Sequence, residues 1–215
     1  YAENFGDREL MLIWPNFTCG FAGDAVARAA GLRAAIDEAQ GWHKTLSNVP
    51  VQGVTEIYTP VYFDIQDETT DANLLNSAKI VTLVRSNGFR FWGNRTLAAD
   101  DEPLYAFESA VRTSQVLQDE IAEGLRWAID RPLTAALIKD IIETINGRFR
   151  SLTAQGRLLG GKAWFDPALN TQADLAAGKL TVDYEFTPAA PLEALTLNQR
   201  ITDRFYADFA TLVAG

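Results

Sequence analysis

Lys79-Ile80-Val81-Thr82-Leu83-Val84-Arg85-Ser86-Asn87-Gly88-Phe89-Arg90-Phe91-Trp92 sets two strand-like runs on either side of an Asn-Gly pair. The first run is β-branched and apolar, the second aromatic. Asn and Gly both tolerate positive φ, so a two-residue type I′ hairpin is predicted at Asn87-Gly88. A period of two then puts Phe89 and Phe91 on one face and Arg90 and Trp92 on the other. Arg85, Arg90 and Arg95 concentrate positive charge here, and an acidic protein partner is a better use for it than RNA.

Downstream, Leu104–Arg112 reads as a further strand. Ser114–Ile129 carries Leu117, Ile121, Leu125 and Ala128 on one stripe, and Asp130-Arg131-Pro132 stops it. Ala135–Thr153, capped by Thr134, carries Ile138, Ile141, Ile142, Ile145, Phe149 and Leu152 at the 3.6-residue period. The two form a helical hairpin. Its exposed line is expected to hold Lys139, Glu143, Asn146 and Arg150. A strand at Lys162–Phe165 and a short helix from Thr171 follow. Leu180, Val182, Tyr184 and Phe186 then alternate with polar residues, as in a half-buried antiparallel strand. Pro188 and Pro191 interrupt the chain before Leu195, Leu197 and Ile201 alternate with Thr196, Asn198, Arg200 and Thr202.

Upstream, Glu9–Trp14 suits a buried strand and Ala25–Ala39 a helix with Asp24 as N-cap and Gly41 as stop. One strand and one helix make the tail of an α/β unit. Val54–Phe63 reads as extended and Ala72–Ser77 as a short helix. The predicted class is therefore α+β: a mixed, largely antiparallel sheet with a helical hairpin, preceded by the tail of an α/β domain. The division is expected at residue 50, giving parts 1–50 and 51–215.

Composition removes more functions than it suggests. With 19 Lys and Arg against 28 Asp and Glu among 215 residues, the net charge is −9, which disfavours phosphate backbones and anionic membranes. The apolar runs are only a few residues long, too short to span a bilayer. Single Cys19 and His43 residues exclude an internal disulfide and most Cys or His metal sites. Gly156-Arg157-Leu158-Leu159-Gly160-Gly161-Lys162-Ala163 nearly spells a phosphate loop, but Ala163 replaces the magnesium-binding hydroxyl and the loop follows a helix instead of a strand. Gly88-Phe89-Arg90-Phe91 lacks the basic residue and small residue of an RNA-recognition strand. Asp64, Asp67, Glu68 and Asp71 lack the glycine and distal glutamate of a calcium loop. Any Ser–His–Asp or Cys–His site has to use His43, which lies in Trp42-His43-Lys44 with no nucleophile elbow nearby. No catalytic residue, cofactor or metal is assigned. Tyr1–Asp7 has no signal-peptide character, and the immediate entry into an apolar run is expected of a piece cut from a longer chain.

Gly88-Phe89-Arg90-Phe91-Trp92-Gly93-Asn94-Arg95-Thr96 resembles the signature of contractile phage tail sheath proteins. So do Gln40-Gly41-Trp42-His43-Lys44-Thr45-Leu46-Ser47-Asn48, Gly53-Val54-Thr55, Arg126-Trp127-Ala128-Ile129-Asp130, Gly178-Lys179-Leu180, Pro188, Pro191-Leu192 and Arg200-Ile201-Thr202-Asp203. The likeness covers nearly the whole chain in order, and R-type pyocin sheaths are similar with more divergence. It implies a structural subunit that stacks in a helical tube around an inner tail tube and shortens to drive that tube through a bacterial envelope. It further implies a middle domain of subtilisin-like topology without protease activity, ending here near residue 50, and a C-terminal domain nearest the tube. Implied partners are other sheath subunits, the inner tail tube, the baseplate and the tail terminator, with no nucleic acid and no membrane insertion. The implied location is the virion tail, after synthesis in the host cytoplasm. Leu195, Leu197, Arg200 and Ile201 are expected at a subunit interface and Lys139 and Arg150 toward the tube. The N-terminal arm and most of the middle domain are missing relative to the family, and the Asn16–Asp24 connection is shorter than expected. The alternatives are a protein-binding module presenting the Arg85–Arg95 hairpin, or a relic hydrolase using His43.

Overall fold

The computed structural model describes residues 2–20 and 24–214; part of the Asn16–Asp24 connection lies outside them. Its elements are β1 (Leu12–Ile13), β2 (Phe17–Cys19), α1 (Ala25–Ala39), β3 (Val54–Ile57), α2 (Asp71–Ser77), β4 (Ile80–Arg85), β5 (Phe89–Trp92), α3 (Glu108–Gly124), α4 (Ala135–Ala154), β6 (Leu158–Trp164), α5 (Gln172–Ala176), β7 (Asp183–Pro188) and α6 (Phe209–Ala214). The class is α+β, as predicted, but the strands do not form one sheet. Among the described residues β1 pairs parallel with β4, which pairs antiparallel with β5, while β2–β3 and β6–β7 are separate antiparallel ribbons.

The hairpin forms one residue longer than predicted. Arg85 is opposite Phe89, leaving Ser86, Asn87 and Gly88 in the loop. Asn87 and Gly88 both take positive φ, 48° and 99°, as argued from their chemistry. Phe91 is fully buried, and Phe89 packs on the same core. That core also contains Phe17 from β2, Ala25, Ala29 and Ile36 from α1, Ile57 from β3, and Val81 and Leu83 from β4. Residues on both sides of Val51 share it. Phe17 and Phe91 meet edge to face at 5.4 Å. Burying each such side chain stabilises the fold by about 1.5–3 kcal/mol.

A second core gathers Leu117 from α3, Leu137, Ile141, Ile145, Phe149 and Leu152 from α4, and Leu158 and Ala163 from β6. Helix α4 starts where expected, because the Thr134 side chain accepts from Leu137 N and fills a vacant first-turn donor. The helical hairpin is also present, with Arg148 of α4 donating to Glu120 of α3 at 2.7 and 2.8 Å. The predicted strand over Leu104–Arg112 is not formed. Pro103–Tyr105 is a 3-10 turn, Phe107 is the extended cap, and α3 begins at Glu108. Polar burial hid this start: Glu108, Ser109 and Thr113 all face inward with Ala110, Val111 and Leu117. A glutamate in the first turn also suits the positive end of the helix dipole. Asn146 is not on the exposed line of α4. Its amide accepts from Ala163 N at 2.8 Å and donates to Ala163 O at 3.0 Å, tying the helix to β6.

Candidate functional site

The arginines of the hairpin region are satisfied within the chain. Arg90 donates to the carbonyls of Ser86 and Asn48, both at 2.9 Å, and to Asn48 Oδ1 at 3.0 Å. Arg95 lies just past β5, in the bridge that pairs it with Phe107, and its guanidinium is 5.2 Å from the Phe107 ring centre. It forms a two-pronged ion pair with Glu193, beyond the end of β7. Only Arg85, over the Phe89 ring at 5.9 Å, keeps an exposed place on the hairpin. The three arginines therefore do not form one free basic patch: Arg90 and Arg95 are engaged within the chain and Arg85 is exposed. Glu193 is the one acid between Glu185 and Asp203, but nothing local in the sequence marks Arg95, 98 residues away, as its partner.

The Arg95–Glu193 pair carries the segment Ala189–Ala194 across an open cleft of about 760 Å³, whose floor includes Ser47, Asn76, Lys79, Trp92 and Gly93. Gly93 is required at this spot. Its φ is +123°, and a Cβ there would come within 2.6 Å of Asn76 Oδ1 and 3.2 Å of Val81 Cα.

Beyond the cleft the chain leaves the body. Leu195, Leu197, Arg200 and Ile201 lie in no helix or strand, and the three apolar side chains are 69%, 80% and 97% exposed. The alternation Leu195, Leu197, Ile201 thus faces no part of the described chain. Lys139 and Arg150 are both exposed on α4, and Arg150 pairs with Glu143. The structure does not bring these two groups together with the 195–201 segment into one pocket.

His43 sits at the cleft margin. Its Nδ1 is buried without a hydrogen-bond partner among the described residues. Burial pushes its pKa below the ordinary imidazole value, and Arg157, Arg33 and Lys44 push the same way. A general base of the Ser–His–Asp kind is instead oriented by a carboxylate. The acidic run holds turns: Asp67 accepts from Thr69 N and Oγ1, Asp64 from Gln66 N, and Asp71 from Tyr62 N. Among the described residues no three His, Cys, Asp or Glu side chains converge to hold a metal ion, and no helix is long and apolar enough to cross a membrane.

A model of the phage tail sheath protein central domain matches residues 1–97, and one of the phage tail sheath C-terminal domain matches residues 100–202. The chain belongs to the phage tail sheath family. This sheath chain is 50% identical to the tail sheath protein of Escherichia phage P2, over 99% of its own length and 55% of that protein. It is 46% identical to the major tail sheath protein of Serratia phage KSP20, again over 99% and 55%. It spans about half the length of the curated relatives it matches. Its fold is similar to a chain of the anti-feeding prophage baseplate, with TM-score 0.78 and 20% identity over 92% of this chain and 56% of that one. A chain of the PVC sheath complex of an extracellular contractile injection system, in the contracted state, gives 0.78 at 18% identity over 95% and 59%.

Proposed function

We propose that this sheath chain is part of a structural, non-catalytic subunit that polymerises around an inner tail tube and shortens collectively to drive that tube through a bacterial envelope. The observation that carries the reading is the 195–201 segment: a period-two apolar strip, outside any sheet of its own chain and anchored at its base by Arg95–Glu193. Such a strip can complete its backbone pairing on the edge of another subunit. Leu195, Leu197 and Ile201 then bury one face there, and Arg200 lies on the other. No stored chemical fuel is needed, because the work resides in subunit contacts that rearrange. The exposed Lys139 and Arg150 are the tube-facing cations of this reading. Baseplate and tail terminator meet the two ends of the assembly, and the finished subunit resides in the virion tail after synthesis in the host cytoplasm. The central-domain region, matched over residues 1–97, belongs in this reading to a domain of the subtilisin-like topology that the family resemblance implies. The shared core on both sides of Val51 and the family matches support dividing the two sheath regions between residues 97 and 100, not at 50.

Truncation after Ala194 in the full-length protein tests this by electron microscopy. Intact protein forms tubes and the truncated protein remains as single subunits. Tubes formed equally by both would remove the arm from the assembly and overturn the reading.

A further inference from the structure

Four charged side chains meet where α1 approaches the first turn of α3. Arg33 donates from Nε to Asp37 Oδ1 at 3.0 Å, and its Nη1 lies 3.3 Å from both Glu108 oxygens. The same Nη1 donates to the Lys44 carbonyl at 2.6 Å. Arg112 pairs with Asp37 and stands 3.5 Å from Glu108 Oε1. Arg33 is 9% exposed and Glu108 7%. Two guanidinium groups and two carboxylates balance, so the cluster buries no net charge. Helix α1 lies in the central-domain match and α3 in the C-terminal match, and the pairs Arg33–Glu108 and Arg112–Asp37 both cross between them.

We infer that this cluster is an orientation lock between the two sheath regions, fixing the angle at which α1 meets α3 while contributing little to the integrity of either. Each region has an apolar core of its own. Desolvating Arg33 and Glu108, with Asp37 and Arg112 half-buried beside them, offsets most of the mutual attraction, so as a source of stability the cluster is a poor substitute for leucines. Its directionality is what an apolar contact lacks. A slip of α3 along α1 pulls the Glu108 oxygens away from Arg33 and Asp37 away from Arg112. Each charge then keeps only its partner on its own helix, Arg33 with Asp37 and Glu108 with Arg112, and the buried Arg33 and Glu108 lose the hydrogen bonds between them. An apolar seam repacks after the same slip at small cost. A second contact pins the joint on one side: Trp42, which follows α1, packs on the second core under the Arg157 guanidinium, 4.7 Å from its ring centre. Lys44 and His43 are the other titratable groups at this joint.

Hydrogen exchange through a denaturant series separates a lock from a generic stabiliser. It follows Leu83 and Phe91 in one core and Ile145 and Phe149 in the other. In the unmodified 215-residue chain both sets open in one coincident transition. In Arg33→Met with Glu108→Leu, which fills the space without charge, each set retains its protection in buffer but the two open at different denaturant concentrations. Glu108→Gln, keeping shape and losing charge, separates them to a smaller degree. Coincident opening in Glu108→Gln overturns the proposal, whatever happens to the midpoint. So does an unmodified chain that already opens in two steps, or loss of folding in the double variant, since the cluster is then needed for the cores themselves.

Discussion

Arg95 and Glu193, 98 residues apart, close a two-pronged ion pair, with Nε to Oε1 at 3.1 Å and Nη2 to Oε2 at 2.6 Å. The pair fixes where the C-terminal segment leaves the body. Both side chains are partly exposed, so breaking the pair should cost the whole fold only about 0.2–1 kcal/mol. Glu193→Ala should leave the urea midpoint almost unchanged and raise amide exchange over 189–194. Unaltered exchange in that segment would show that the two prolines alone hold it.

Two adjacent glycines in β6 should respond oppositely to alanine. A Cβ at Gly161 would meet the Phe149 ring at 2.8 Å in the second core, while one at Gly160 meets nothing within 4 Å. Gly161→Ala should destabilise by about 1–3 kcal/mol through overpacking, and Gly160→Ala should be neutral or slightly stabilising. Thermal denaturation of the two variants side by side gives the answer.

At the hairpin, the space beside Gly88 is open, so its requirement is conformational and not steric. Gly88→Val should cost about 1 kcal/mol or more because a β-branched residue resists φ near +99°. An unchanged melting temperature would contradict the turn.

His43 should make stability depend on mildly acid pH. Its folded pKa lies below the ordinary value, chiefly through burial and then through Arg157, Arg33 and Lys44. The unfolded chain therefore takes up the proton first as pH falls below about 6.5, and stability declines until the folded imidazole also titrates. His43→Gln should flatten that part of a stability–pH curve. A slope that persists in the variant belongs to other groups.

Charge reversal at Lys139 and Arg150 should weaken co-sedimentation with purified tail tube, more strongly at low salt than at high. Equal binding at all salt concentrations would leave α4 a solvated face. Glu143, which pairs with Arg150, gives the control: Glu143→Gln releases the arginine without reversing it.

Much of this fold was readable from local pattern. Asp24 and Thr134 cap α1 and α4 where the sequence places them, since capping and amphipathic periodicity act within a few residues. The Asn87-Gly88 backbone followed from side-chain chemistry, but the loop length did not, because register is set across the strands. The start of α3 was misread because its first turn buries Glu108, Ser109 and Thr113, polar residues that the apolar stripe does not count. The Arg33–Glu108 contact spans 75 residues and leaves no local trace. The exposed arm was recognisable from its prolines and alternation, whereas its anchor needed three dimensions.

Asn146 holds both backbone groups of Ala163, and Asn170 does the same for Thr181, at 2.8 Å to N and 2.9 Å to O. A carboxamide can present an N–H donor and a carbonyl acceptor side by side in one plane, as a strand residue does with its N–H and C=O, and Asn170 spends its second N–H on Asp166 O. Each asparagine therefore stands in for a single residue of a neighbouring strand, sealing the border of the β6–β7 ribbon at one rung and the approach to it at another. An incoming chain cannot zip along that border from end to end. Any strand added along it would meet a stop at Ala163, so two short side chains restrict where backbone pairing on that border can continue.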